Sequence, residues 1–159
     1  MSKQDFEAAL QEYHDAGGET TFAGPVGELT IKLLEANLGP LPEAYREFVA
    51  AYGAGGMLEE WLGVWAEPTE PGDELEESVM VTTKELRTEG LVPDDCVVVS
   101  HDEEQDLAHL LSQGGAAEPL LGERGRVAWF DLAKQKVIGE PYENFWACLA
   151  DHFRGLARA

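Results

Sequence analysis

The apolar positions of this chain open in helical spacing. Phe6, Ala9, Leu10 and Tyr13 recur at i, i+3, i+4 and i+7, which is one face of a helix. Ser2 and Asp5 ahead of them form a capping arrangement, and Gly17-Gly18 stops the pattern. Residues 19–27 read as a Gly- and Pro-containing connection. A second helix is expected from about Glu28 to Leu38, with Leu29, Ile31, Leu34 and Leu38 apolar. Gly39 stands where a left-handed cap is wanted, and Pro40 forbids continuation. Pro42 suits the first turn of a third helix, which carries the stripe Tyr45, Phe48, Val49 and Tyr52. Gly53-Ala54-Gly55-Gly56 ends it.

Beyond that glycine-rich stretch the period shortens. Trp61 to Trp65 fits a strand with both tryptophans on one face, and fits a helical turn as well. Residues 67–77 are acidic, carry Pro68, Pro71 and Gly72, and read as an exposed loop. Val79–Thr82 is expected as a short strand, followed by a helical turn over Thr83 to Thr88. The β-branched run Cys96-Val97-Val98-Val99 follows a Pro-Asp-Asp turn and predicts a buried strand. Leu107 to Leu111 admits either a strand or a helical turn. Val127–Phe130 and Lys136–Ile138 predict a hairpin around Ala133-Lys134. From Tyr142 onward, Phe145, Cys148, Leu149 and Phe153 build a terminal helix. Helices first, then strands, then a closing helix define an α+β chain. No repeat or linker divides it, so residues 1–159 are expected to form one domain.

Charge narrows the set of partners. The chain has 11 Lys and Arg against 31 Asp and Glu, a formal net charge of −20. Such a surface repels nucleic acids and anionic membranes, and it is compatible with a basic protein partner or with solubility alone. The acid is concentrated in the middle, where Lys84 and Arg87 are the only bases between 61 and 120, while acids and bases nearly balance beyond 120. Cys96 and Cys148 sit in apolar surroundings without metal or redox spacing, so buried reduced thiols are expected. The first residues lack a secretory-leader pattern, and no apolar run approaches the ~18–20 residues of a membrane span. The expected location is the cytoplasm.

The segment around the second and third helices resembles the SUKH superfamily, which includes a fungal cell-wall-synthesis regulator and many bacterial immunity proteins. The residues that carry the resemblance are Ile31, Leu34, Leu38, Gly39, Leu41, Pro42, Tyr45, Phe48, Gly55 and Gly56. Ala54 stands where the family has Asn. Weaker matches extend it to about 28–153, with Val92-Pro93-Asp94-Asp95 before a strand and Phe145 with Leu149 in the closing helix. The resemblance implies a mixed, mostly antiparallel sheet with N-terminal helices and a C-terminal helix packed around it. It implies an antitoxin that neutralises a cognate toxin, such as a nuclease, by stoichiometric binding. A regulatory or scaffolding module in cell-envelope physiology is the alternative it leaves open.

The chemistry-bearing residues point the same way. His101-Asp102-Glu103-Glu104-Gln105-Asp106-Leu107-Ala108-His109 is the densest group of potential ligands. As a calcium loop beginning at Asp102 it puts Leu107 where Gly is needed and Gln113 where a bidentate Glu belongs. Zinc spacing is missing too. The Gly53–Gly56 run follows a helix, unlike a dinucleotide fingerprint. Ser100 and His101 are strand neighbours and point to opposite faces. His14 and His152 fall on helices and read as packing or surface residues. No catalytic residue, metal or cofactor is expected, and a small metal-dependent hydrolase built on His101 and His109 is the remote alternative. The expected partner-binding residues are Glu59, Glu60, Trp61, Trp65, Asp102, Glu103, Glu104 and Asp106. Tryptophan is enriched at binding hot spots, and the carboxylates supply the charge.

Overall fold

Ser2 and Asp5 form the reciprocal cap in a computed structural model that describes residues 1–57, 60–68 and 78–159. Ser2 Oγ accepts the Asp5 N–H (3.4 Å) and the Asp5 carboxylate accepts the Ser2 N–H (2.7 Å). They open helix α1 (Lys3–Asp15), whose buried face is Phe6, Ala9 and Tyr13. Helix α2 (Glu28–Leu38) ends at Gly39, whose φ of 93° no L side chain adopts readily. Pro42 is the N-cap of α3 (Glu43–Tyr52), one position before the expected first turn. Ile31, Leu34, Leu38, Leu41, Tyr45 and Phe48 are all buried in one cluster. The glycines after α3 do more than terminate it. Gly55–Gly56 forms a short strand, β2, paired antiparallel with β1 (Thr21–Phe22) inside the expected connection.

Two sequence expectations are corrected. Residues 61–65 are neither a strand nor a helix, because their backbone groups make single bonds to three separate segments and build no continuous ladder. Trp61 bridges Gly55, Leu62 N–H bonds the Val99 carbonyl (2.9 Å) and Val64 N–H bonds the Gly53 carbonyl (2.9 Å). Gly63 lies so close to Gly53 that a Cβ there would stand 1.8 Å from its oxygen. Val79–Thr82 is not a strand but the start of helix α4 (Val79–Thr88). Ser78 caps it by accepting the Met80 N–H (3.2 Å), and Val79, Thr83 and Leu86 form its buried face. A cap and a buried 3.6-residue stripe outweigh four residues of β preference. The acidic segment 69–77 and Glu59 lie outside the described residues.

The main sheet has the order β3-β4-β5-β6, antiparallel throughout: β3 (Cys96–Asp102), β4 (Leu107–Ser112), β5 (Val127–Asp131) and β6 (Lys136–Tyr142). A 3-10 turn (Gly115–Ala117) and the one-turn helix α5 (Glu118–Leu121) connect β4 to β5. Helix α6 (Phe145–Ala157) closes the chain, with Asn144 accepting the Ala147 N–H (2.9 Å) as N-cap.

Strand alternation gives the sheet two apolar faces. Val97, Val99, Leu111 and Val127 join the helical cluster of α1, α2, α3 and α6, which contains Phe6, Phe48, Phe145 and Phe153. Cys96, Val98, Ala108, Leu110, Ala128 and Phe130 join a second cluster with Leu86 of α4 and Leu121 of α5. The chain is thus a single α+β domain, with helices on both faces of an antiparallel sheet. No described helix is long and apolar enough to cross a membrane.

Candidate functional site

One irregularity in β3 organises the site. Val97 and Leu111 are partners, as are Val98 and Leu110, but the next pair is Ser100 with His109. Val99 is the extra residue of a β-bulge, and such a residue re-aims the side chains after it. Val99 stays with Val97 in the helical cluster, while Ser100 is shifted onto that same face, opposite His109. The Val99 carbonyl, outside the ladder pairs, accepts the Leu62 N–H and so docks the segment carrying Trp61. Tyr45 Oη donates to the Leu62 carbonyl (2.6 Å) from the other side.

His109 is then packed between two indoles. Its ring centre lies 4.9 Å from that of Trp61 and 4.2 Å from that of Trp129, its register partner on β5. Trp61 also meets His152 of α6 edge-on at 5.2 Å and Phe145 at 5.7 Å. His152 Nε2 lies 3.2 Å from a Glu60 carboxylate oxygen. Glu60 in turn accepts the Met57 N–H (2.9 Å). Glu60, Trp61, Ser100, His101, Asp102, His109, Trp129 and His152 line a cavity of about 340 Å³ at the end of the sheet where β3 turns into β4.

Ser100 holds His109 at two points. The His109 backbone N–H donates to Ser100 Oγ (3.1 Å), and the same hydroxyl is hydrogen-bonded to the ring Nδ1, 2.7 Å away. Burial, reinforced by nearby His152, pushes the imidazolium pKa down to about 3. The pair has the shape of a nucleophile with its base, but this base scarcely holds a proton at neutral pH, whereas efficient proton transfer needs a pKa near the working pH.

The expected partner-binding residues are divided by the fold. Trp61 is core, 1% exposed, and its Nε1 is the only buried side-chain polar atom without a hydrogen-bond partner among the described residues. Trp65 is half-buried and does not line the cavity. Glu60 and Asp102 line the cavity, while Glu103, Glu104 and Asp106 are exposed on the turn beside it. Asp102 Oδ1 accepts the Gln105 N–H (3.1 Å) and Asp106 has a φ of 60°, so the tight turn holds the carboxylates together.

Ser100, Trp129 and His152 were missed as site residues, and His109 entered only through the remote hydrolase alternative. Counting back from a turn at 103–106 would have paired Ser100 with His109, but only after 107–111 is read as a strand. The bulge and the return of α6 leave no mark that periodicity detects.

His101 stands opposite Ala108 and His109 opposite Ser100, so the two histidines occupy alternating register positions. No group of three or more His, Cys, Asp or Glu is placed to hold a metal ion among the described residues. Both cysteines are buried free thiols, and burial pushes Cys96 up to about 12 and Cys148 upward as well. The chain matches no family model and no curated protein.

Proposed function

We infer that this chain is a SUKH-like protein-binding domain acting in the cytoplasm as an immunity protein, which captures a basic toxin domain stoichiometrically through its acidic face. The observation that supports this reading is the β3–β4 turn. Asp102, Glu103, Glu104 and Asp106 crowd onto one exposed bend, with none in an ion pair among the described residues. Carboxylates held together without counter-charges repel one another, and a cationic partner relieves that repulsion. Charge of this kind raises association rates toward ~10⁸–10⁹ M⁻¹s⁻¹ at low salt and is screened beyond ~8 Å at physiological salt. The test is capture of partner proteins from the native host at low and high salt. The wild type should retain a specific protein that dissociates as salt rises. A variant with D102N, E103Q, E104Q and D106N should lose it; equal capture removes the turn from the interface.

A serine hydrolase is the second reading, and the Ser100–His109 bond favours it. The weak basicity of His109 counts against it. A fluorophosphonate probe decides between them: labelling of wild type that S100A abolishes would establish the hydrolase.

A further inference from the structure

We propose that the cavity beside the β3–β4 turn is an anchor site for one arginine side chain of the basic partner, with its guanidinium lying on Trp129 and paired with the carboxylates of Glu60 and Asp102. The assignment rests on the reading of the chain as a binder of a basic protein, and it names the group that enters.

The size of the cavity sets the class of ligand. At about 340 Å³ it lies at the bottom of the roughly 300–1,000 Å³ range of small-molecule pockets. One long side chain suits that space better than a cofactor does. The lining sets the charge. Two carboxylates, Glu60 and Asp102, face the space, and no lysine or arginine lines it among the described residues. Of the lining histidines, His152 is engaged with Glu60 (3.2 Å). An anion is therefore repelled, and a purely apolar guest would strip water from carboxylates and return nothing.

The walls then select among cations. Trp129 is half-buried, with the edge-strand residue Ile138 as its partner on β6, and its indole closes one side. Trp61 and His109 continue the aromatic wall behind it. A planar guanidinium stacks on an indole face and still offers its rim of N–H donors to carboxylates, which a compact ammonium cannot do as well. Glu103, Glu104 and Asp106 on the adjoining turn extend the same negative field to whatever basic residues flank the arginine. A peptide also brings carbonyl oxygens, and the buried Nε1–H of Trp61 in this wall has no acceptor among the described residues.

The experiment uses the full chain and the peptide acetyl-Gly-Arg-Gly-amide, compared with the same peptide carrying citrulline in place of arginine. Binding is followed by NMR titration of the His109 and Trp129 ring signals. Saturable binding at millimolar peptide is expected, at least fivefold weaker for citrulline, which has the same shape without the charge. D102N should weaken arginine binding at least fivefold, and W129L likewise. Should W129L fail to fold, D102N at the half-buried edge of the cavity carries the comparison alone. Absent saturation, equal binding of the citrulline peptide, or undiminished binding by D102N would each overturn the assignment. Host capture separates the two claims. A salt-sensitive partner still captured while the arginine peptide fails would sink the anchor and leave the immunity reading standing. Charge-dependent binding of the peptide, with no host protein captured, would do the reverse.

Discussion

Two cross-strand rows lie on the same face of the sheet, one step apart. Val97, Leu111 and Val127 are wholly buried against the helices. Ser100, His109 and Trp129 occupy the equivalent places further along the same three strands. The first row is all aliphatic and does nothing but pack. The second is a hydroxyl, an imidazole and a half-buried indole, and it borders a cavity with two carboxylates. The change takes place over two residues on β4 and β5 and, because of the bulge, three on β3. It shows that the aliphatic core ends between these rows, and that the sheet continues past it into the lining of the cavity.

The largest expected difference between the rows is in stability. L111A leaves a cavity in the packed row and should cost about 2–5 kcal/mol, read from urea unfolding. The second row should respond to pH instead. With His109 at about 3 in the folded protein against an ordinary 6.5, the unfolded chain alone takes up this proton between those values. Stability therefore falls on acidification through that window, by at most about 1.4 kcal/mol per pH unit from this group, and is untouched by it above the ordinary value. H109Q should lose stability less steeply than wild type between about pH 7 and about pH 5. An identical slope would mean that the imidazole is not excluded from protonation. Smaller still is S100A, expected to cost about 1 kcal/mol because it strips a partner from the backbone N–H and ring of His109. A cost near zero would make the second row ornamental. The opposite face of the sheet should show no effect at all: Cys96, with its thiol pushed up to about 12, should resist iodoacetamide at about pH 8 until the protein unfolds.

Sequence reading reached the first row and stopped before the second. The helices are legible because local signals agree with burial: Ser2 with Asp5, Gly39 at its positive φ, and the stripe Tyr45, Phe48 and Val49. Cys96–Val99 and the hairpin of β5 and β6 are legible for the same reason. Val79–Thr82 misleads because its β-branched residues are too few to outweigh the Ser78 cap and buried Leu86. Trp61 and Trp65 look paired by spacing and are not, since Gly63 between them is pressed against the Gly53 carbonyl. The cavity is illegible for a deeper reason. Glu60, Ser100, Trp129 and His152 meet only through tertiary contacts, and strict alternation sends Ser100 to the wrong face.

Val99 acts as a tether set into β3. Excision of that single residue would restore the regular two-residue beat with Ser100 still opposite His109, but would remove the carbonyl that holds Leu62. The ladder would close over the gap, yet the segment that brings Trp61 to the pocket would lose its attachment. In this fold, one extra position in a strand can therefore moor a neighbouring loop without disturbing the pairing on either side of it.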